Sequence, residues 1–215
     1  HVRSRRQRQM CIRDRYYGLL MSIIGLFGIN SSKSESQFLK IENILKLCKV
    51  SELKLKPLRK VEFDLNFTEL NKLIKNKKDR HEKYFFLTNN GRWEGFVDEE
   101  ILKSTSLKRW DRTFLGDFKK PLNEFPQEKY NTQLWKIVEL IEKTNEGILL
   151  ITNPAGMPLG IVDRDKIGSF VFNKLGFNLP PEILSKFKAR NQYPLGIDLP
   201  RIIELMKKKG DIDLE

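Results

Sequence analysis

The stretch GILLITNPAGMPLGIVDRDKI, residues 147–167, decides the fold, because a shorter version of it, KYFFLTNNGRWEGFVDEEIL, occupies residues 83–102. Each reads as an apolar strand, a Thr-Asn turn with glycine, a second strand closing on Gly-Phe/Ile-Val-Asp, and an acidic helix start. The copies stand roughly 65 residues apart, and self-similarity at a fixed period sets the architecture before any single residue does. One structural unit is used twice.

The sequence around each copy completes the unit. Ahead of the first, Val61–Leu65 alternates as a short strand, and Asn66 and Thr68 offer caps for a helix with Leu70, Leu73 and Ile74 on one face. Ahead of the second, Leu115–Phe125 reads as a lead-in segment and strand, and Asn131 or Thr132 caps a helix with Leu134, Val138 and Ile141 inward. Gly147–Thr152 and Leu159–Asp163 are strands around an Asn-Pro-Ala-Gly turn, and Lys166–Leu175 is the closing helix, ended by Gly176. The expected order per unit is strand, helix, strand, strand, helix. Trp93, Trp110 and Trp135 read as packing residues or interface lids rather than ligand platforms. His81 sits in a Lys-rich loop, 75–83, with no second histidine outside the first fifteen residues, so a zinc site there lacks partners. In the tail, Pro180 and Pro181 open a helix to Lys188, and Leu199, Ile202, Ile203 and Met206 form a last amphipathic helix ending in KKKG, which we expect to pack across the pair.

The N-terminal region belongs to a different kind of argument. RRQRQMCIRDR, Arg5–Arg15, resembles the in-frame translation of a transposon-type sequencing adapter, so residues 1–15 are expected to be an artefact and are set apart from fold reasoning. They hold six Arg and one Asp; without them the formal charge of +12 becomes 34 basic against 27 acidic residues, or +7. The remaining lysines are scattered among Glu and Asp, which describes solvated faces better than a phosphate-tracking groove, so no nucleic-acid partner is expected. Only Cys48 lies outside that segment, which forms no internal disulfide and suits a reducing compartment. Tyr16–Ile29 is an uncharged apolar run of about 14 residues, short of the roughly 20 that span a bilayer. Its glycines, Gly18, Gly25 and Gly28, suit a membrane better than water, and we read 16–30 as the end of a truncated transmembrane helix, a buried helix of a soluble protein being the other reading. Lysines follow it, which places that flank on the cytoplasmic side. Gln37–Lys49 reads as an amphipathic helix within a connector over 31–49, opened by a capping-box spacing at Ser34–Gln37.

The order of elements, the GIVDRDKI ending and the lead-in segments resemble the cystathionine-beta-synthase (CBS) domain, which occurs as tandem pairs with a pseudo-twofold axis and two clefts. The resemblance implies an α/β (α+β) tandem CBS-domain pair, with one domain over 50–112, a second over 113–177 and a helical tail over 178–215. More narrowly, the membrane-helix end, the basic connector, NNGRWEGFVDEEILK, WDRTFLGDFKKPL and QYPLGIDLP together resemble the C-terminal half of cyanobacterial site-2-protease-type membrane metallopeptidases. That resemblance implies a multi-pass membrane parent engaged in regulated intramembrane proteolysis. Its zinc would be held upstream by HExxH and a later Asp, with the CBS pair on the cytoplasmic side as a regulatory module. No HExxH can be written from this sequence, so the chain as given is expected to be non-catalytic.

Family CBS pairs often bind adenine nucleotides, with a Thr or Ser at the phosphate and an Asp three residues later at the ribose. Those positions hold Asp163 and Lys166 in the second copy and Asp98 and Ile101 in the first, and all four depart from the pattern. A carboxylate repels phosphate, and a charged Lys cannot accept from a hydroxyl. The resemblance leaves Lys119, Lys120, Gly160, Asp163, Arg164 and Asp165 as nucleotide-binding candidates: two lysines at the cleft mouth, the second strand, and a helix N-terminus that favours anions, with Asp165 reaching the ribose in a register shifted by one. The competing reading is that Asp163 caps the closing helix and Arg164 pairs with a neighbouring acid. A regulatory pair attached to its own upstream protease domain, a stand-alone pair sensing an adenine nucleotide, a homodimer formed through CBS pairs and a basic nucleic-acid-binding protein are the functional alternatives the sequence leaves open.

Overall fold

The computed structural model describes residues 36–75, 83–177, 193–194 and 197–212. Helix α1 spans 36–47, as the amphipathic spacing of the connector predicts. Residues from Ile44 onward form one compact unit, which holds everything below.

The first copy consists of β1 (Lys60–Glu62), α2 (Phe67–Lys75), β2 (Tyr84–Asn89), β3 (Arg92–Asp98) and the single turn α3 (Ile101–Ser104). The second repeats the order as β4 (Gln127–Lys129), α4 (Leu134–Lys143), β5 (Ile148–Thr152), β6 (Pro158–Asp163) and α5 (Arg164–Lys174). In each sheet the first strand runs parallel to the second and the second antiparallel to the third. The repeat holds at single-residue resolution. Leu87 lies opposite Gly95 and Ile151 opposite Gly160, and the register shifts at the next residue in both sheets, at Leu87/Thr88 and Ile151/Thr152.

Local chemistry explains the boundaries. Asn66 Oδ1 accepts the Glu69 N–H at 2.9 Å while Glu69 Oε2 accepts the Asn66 N–H at 3.2 Å, a reciprocal capping box that starts α2. Thr68, the other expected cap, instead donates its hydroxyl to Asp111 at 2.6 Å. The start of α4 departs from expectation: its N-cap is Gln133, without a side-chain cap bond. The Thr132 hydroxyl is drawn to Glu128 at 3.2 Å, and the Gln133 carbonyl accepts the Trp135 indole N–H at 2.8 Å. The strand expected within Leu115–Phe125 also moves. That segment forms two 3-10 turns, Leu115–Phe118 and Leu122–Glu124, around Pro121, which has no N–H to give a ladder, and the strand begins only at Gln127.

The two copies exchange their lead-in segments. Lys120 pairs with Phe96 of β3 through two backbone hydrogen bonds of 2.9 Å, and Lys56 pairs with Ile161 of β6 through bonds of 2.9 and 3.0 Å. Each third strand is thus completed by the segment that leads into the other copy. Gly95 and Gly160 stand beside these crossings because nothing larger fits: a Cβ would come within 2.3 Å of the Lys120 carbonyl oxygen at Gly95, and within 2.7 Å of the Lys56 carbonyl oxygen at Gly160. Between the sheets lie Phe86, Phe96, Phe125 and Leu150, all buried. Each contributes about 1.5–3 kcal/mol by leaving water, so this seam is an apolar bond between the copies.

Helix α6 (Leu199–Lys209; Leu199, Ile202, Ile203 and Met206 buried) docks on α4, with Lys207 on Glu139 at 2.9 Å. Lys207 of the KKKG ending thus makes an ion pair between α6 and α4. Asp198 caps α6 by accepting the Arg201 N–H, and Gly210 ends it at φ 74°. The adapter-like segment, the transmembrane reading of 16–30, His81 and the helix expected from Pro180 lie outside the described residues. Among the described residues no helix is long and apolar enough to cross a membrane.

Candidate functional site

A cavity of about 380 Å³ opens between the end of β3, the second lead-in segment and the turn joining α4 to β5. Tyr84, Phe96 and Phe125 form its aromatic wall. Tyr84 and Phe96 each stand nearly perpendicular to Phe125, at 88°, with ring centroids 5.0 and 4.9 Å away. Asp98 and Glu146 are half-buried in the lining, while Lys120, Glu124 and Lys143 are exposed. Asp98 accepts the Glu100 N–H at 3.0 Å, and Lys83 donates to Glu146 at 3.1 Å. Burial, reinforced by the charges of Glu146, Asp98 and Glu100, pushes the Tyr84 phenol up to about 12, so it is a neutral donor at physiological pH.

The structure divides the sequence-derived candidates between two places. Gly160, Asp163, Arg164 and Asp165 gather at the β6–α5 junction, where the charges of Asp163 and Arg164 are already engaged. Asp163 caps α5 by accepting the Lys166 N–H at 3.0 Å and forms an ion pair with Lys56. Arg164 donates two hydrogen bonds to Glu142, at 2.8 and 3.1 Å, and the Tyr193 hydroxyl donates to the same carboxylate at 2.9 Å. Asp165 is half-buried on the first turn of α5. The capping and ion-pairing reading of Asp163 and Arg164 is therefore what the structure displays.

Lys119 and Lys120 are not at that junction. The exchange of lead-in segments carries them to the first copy, where Lys119 bonds Glu94 at 2.8 Å and lies 5.1 Å from the Phe63 ring centroid, and Lys120 borders the cavity beside Phe96. Grouping them with Asp163 assumed that each lead-in segment serves its own copy; the reverse holds, and Lys56 occupies the corresponding place beside Asp163. Sequence reasoning also missed Tyr84, Phe125 and Glu146. The available signal was the mid-strand glycine in each copy, Gly95 and Gly160, since a glycine inside a strand marks a close approach by another backbone. Among the described residues no group of three or more His, Cys, Asp or Glu is placed to hold a metal ion.

No protein-family model and no curated protein matches the sequence. Solved structures do. The CBS domain of a bacterial CNNM/CorC family Mg2+ transporter superposes with a TM-score of 0.52 at 12% identity, over 72% of this chain and 94% of that one. The chain is built as a tandem CBS-domain pair. Two further structures of that CBS domain, one in complex with ATP (TM-score 0.51, 10% identity, 64% of this chain and 96% of that one) and one with an inhibitor (0.50, 12%, 72% and 95%), repeat the likeness. At such identities what is shared is the fold. In this CBS pair the cavity lies at the first domain's third strand, and the junction beside Asp163 is its counterpart in the second.

Proposed function

We propose that this CBS pair is the non-catalytic regulatory module of a larger membrane protein, an intramembrane zinc peptidase of the site-2 type. The regulatory reading is carried by the exchange of lead-in segments. Because of it, a molecule entering the cavity meets Tyr84, Phe96 and Asp98 of one domain and Lys120, Phe125 and Glu146 of the other. Such a molecule has different contacts in different relative arrangements of the domains, and a differential affinity is what a ligand needs to shift an equilibrium between them. The parentage is supported by the resemblance carried by WDRTFLGDFKKPL and QYPLGIDLP. Tyr193 and Pro194 of the latter segment are buried, with Tyr193 hydrogen-bonded to Glu142 and Pro194 against Gly168 of α5. In this reading zinc belongs to the upstream catalytic part, and the pair lies on the cytoplasmic face. The similar CBS-domain structure solved in complex with ATP makes adenine nucleotides the first ligands to try.

Recovering the in-frame coding sequence upstream of Tyr16 tests the parentage. A membrane segment carrying HExxH is expected, and a complete gene without one overturns it. Titration calorimetry of the chain with ATP, ADP and AMP tests nucleotide sensing, which an absence of heat at millimolar ligand refutes.

A further inference from the structure

We infer that the segment joining the two domains, residues 103–119, is a docking surface for an anionic lipid membrane. The inference goes beyond the proposed parentage and does not depend on it, since it concerns a face of the CBS pair itself.

The segment carries apolar side chains that the fold leaves in water. Leu107 is 73% exposed, Phe114 45% and Phe118 41%. Leu107–Arg112 is a 3-10 helix, in which side chains three apart eclipse one another, so Leu107 and Trp110 share one edge and Arg109 and Arg112 another. The buried Phe67 ring at the start of α2 gathers the rest. Trp110 lies edge-on to it at 6.5 Å and Phe118 tilted to it at 5.4 Å, the Thr113 carbonyl accepts the Phe67 N–H at 3.1 Å, and Phe114 bridges to Asn66. Trp110 is half-buried, its indole N–H donated to the Thr105 carbonyl at 3.0 Å.

Positive charge surrounds these side chains. Lys103, Lys108, Arg109, Arg112 and Lys119 stand against Asp111 and Asp117. Asp111 accepts the Thr68 hydroxyl, and Lys119 is bonded to Glu94. The side chains of Lys103, Lys108, Arg109 and Arg112 are exposed and make no ion pair among the described residues. Helix α2, packed on this segment, adds Lys72 and Lys75 against Glu69, so the local balance stays positive.

Neither property alone names a partner, because single exposed apolar residues and solvated lysines are both ordinary. Their combination matches the boundary of a bilayer, where apolar side chains enter the acyl edge and Trp, Lys and Arg lie among the headgroups. An anionic leaflet adds attraction for each basic residue that approaches it. A nucleic-acid backbone satisfies the cations but leaves Leu107, the most exposed of the three apolar side chains, in water.

The test is hydrogen exchange on the full chain, read peptide by peptide, so that attachment through any other part of the chain does not imitate the result. Vesicles of equal parts phosphatidylserine and phosphatidylcholine are expected to slow exchange across 103–119, high salt to reverse the effect, and the exposed 153–157 turn to stay unchanged. Vesicles of phosphatidylcholine alone are expected to give much less protection. The variant Lys108→Glu/Arg109→Glu/Arg112→Glu should lose the protection while its thermal melt stays that of the native chain. Leu107→Ser/Phe114→Ser, which alters only side chains already in water, should reduce it without removing its salt dependence. No protection on the mixed vesicles, equal protection on phosphatidylcholine alone, or protection unchanged in the charge-reversed variant each overturns the assignment. Protection of 103–119 by a single-stranded oligonucleotide and not by vesicles overturns it in favour of a nucleic-acid face.

Discussion

Lys56, in the segment leading into the first domain, forms an ion pair with Asp163, the N-cap of α5 in the second, and each side chain is only 15% exposed. The pair ties the two domains at the place where the fold's lead-in segment crosses over. Lys56→Met leaves the carboxylate with the capping bond alone in poorly hydrated surroundings, at a cost of about 1–3 kcal/mol. Urea denaturation is expected to show a lower midpoint with an unchanged slope. Asp163→Asn keeps a capping oxygen, so in the Lys56→Met background it should recover part of the loss. Strictly additive losses in that double-mutant cycle would refute the coupling.

Gly95 and Gly160 are related by the pseudo-twofold, and each lies under a backbone carbonyl. Gly160→Ala places a Cβ 2.7 Å from the Lys56 oxygen and 2.8 Å from the Leu55 Cβ, contacts that neither backbone nor stem can yield cheaply. A loss of about 1–3 kcal/mol is expected. The Ile161 amide, which donates to Lys56 at 3.0 Å, should lose hydrogen-exchange protection. Gly156→Ala is the control: it has φ +79° but nothing within 4 Å, so it carries backbone strain alone and should leave Ile161 protected.

The repeat, the strand-helix-strand-strand-helix order and the caps at Asn66 and Asp163 were legible in the sequence because they are local, set by hydrophobic period and by side chains three residues from their partners. The assignment of lead-in segments was not. Lys56 meets Asp163 across 107 positions, and nothing within either copy distinguishes a segment that serves its own domain from one that serves the other. The cavity was hidden for the same reason. Its aromatic wall joins Tyr84 and Phe96 to Phe125, residues that only the crossed arrangement brings together. The shift of strand β4 past Phe125 follows from Pro121 and from the burial of the Phe125 ring, a tertiary demand that overrides the strand expected within Leu115–Phe125.

Glu142 joins three parts of the chain, accepting from Arg164 and from Tyr193. Burial is the largest influence on its carboxyl and pushes the pKa up, but the hydrogen bonds from Arg164 and Tyr193 and the Arg164 charge together outweigh it, and the net shift is downward from 4.5. In the native state the group therefore stays ionised to lower pH than in the unfolded chain. The unfolded state binds more protons around and below the ordinary Glu value, so this contribution to stability is present above that value and lost as pH falls through the lower native one. Glu142→Gln should flatten the acid limb of a stability-against-pH curve. Tyr193→Phe should cost about 1 kcal/mol at neutral pH and move that limb upward. An acid limb identical in all three proteins would refute the linkage.

Gly168 and Pro194 carry the docking of the tail on α5. A Cβ at Gly168 would stand 2.2 Å from Pro194 Cδ and 3.0 Å from its Cγ, and the ring has no rotamer to retreat into. Gly168 lies within α5, where alanine is the better helix former by about 1 kcal/mol, so propensity alone predicts that Gly168→Ala stabilises. Overpacking predicts the opposite, a net loss of about 1–3 kcal/mol. The two are separable by combining Gly168→Ala with Pro194→Ala, which removes most of the opposing ring. If the clash dominates, the alanine destabilises the native chain but is neutral or stabilising beside Ala at 194. The Tyr193 hydroxyl also supplies a local reporter, because displacement of Pro194 moves its neighbour away from Glu142 and returns the Tyr193 pKa, raised chiefly by burial and then by the Glu142 charge, toward the ordinary tyrosine value. A stabilising Gly168→Ala in the otherwise native chain, with the Tyr193 titration unmoved, would mean that 193–194 do not hold the tail against α5.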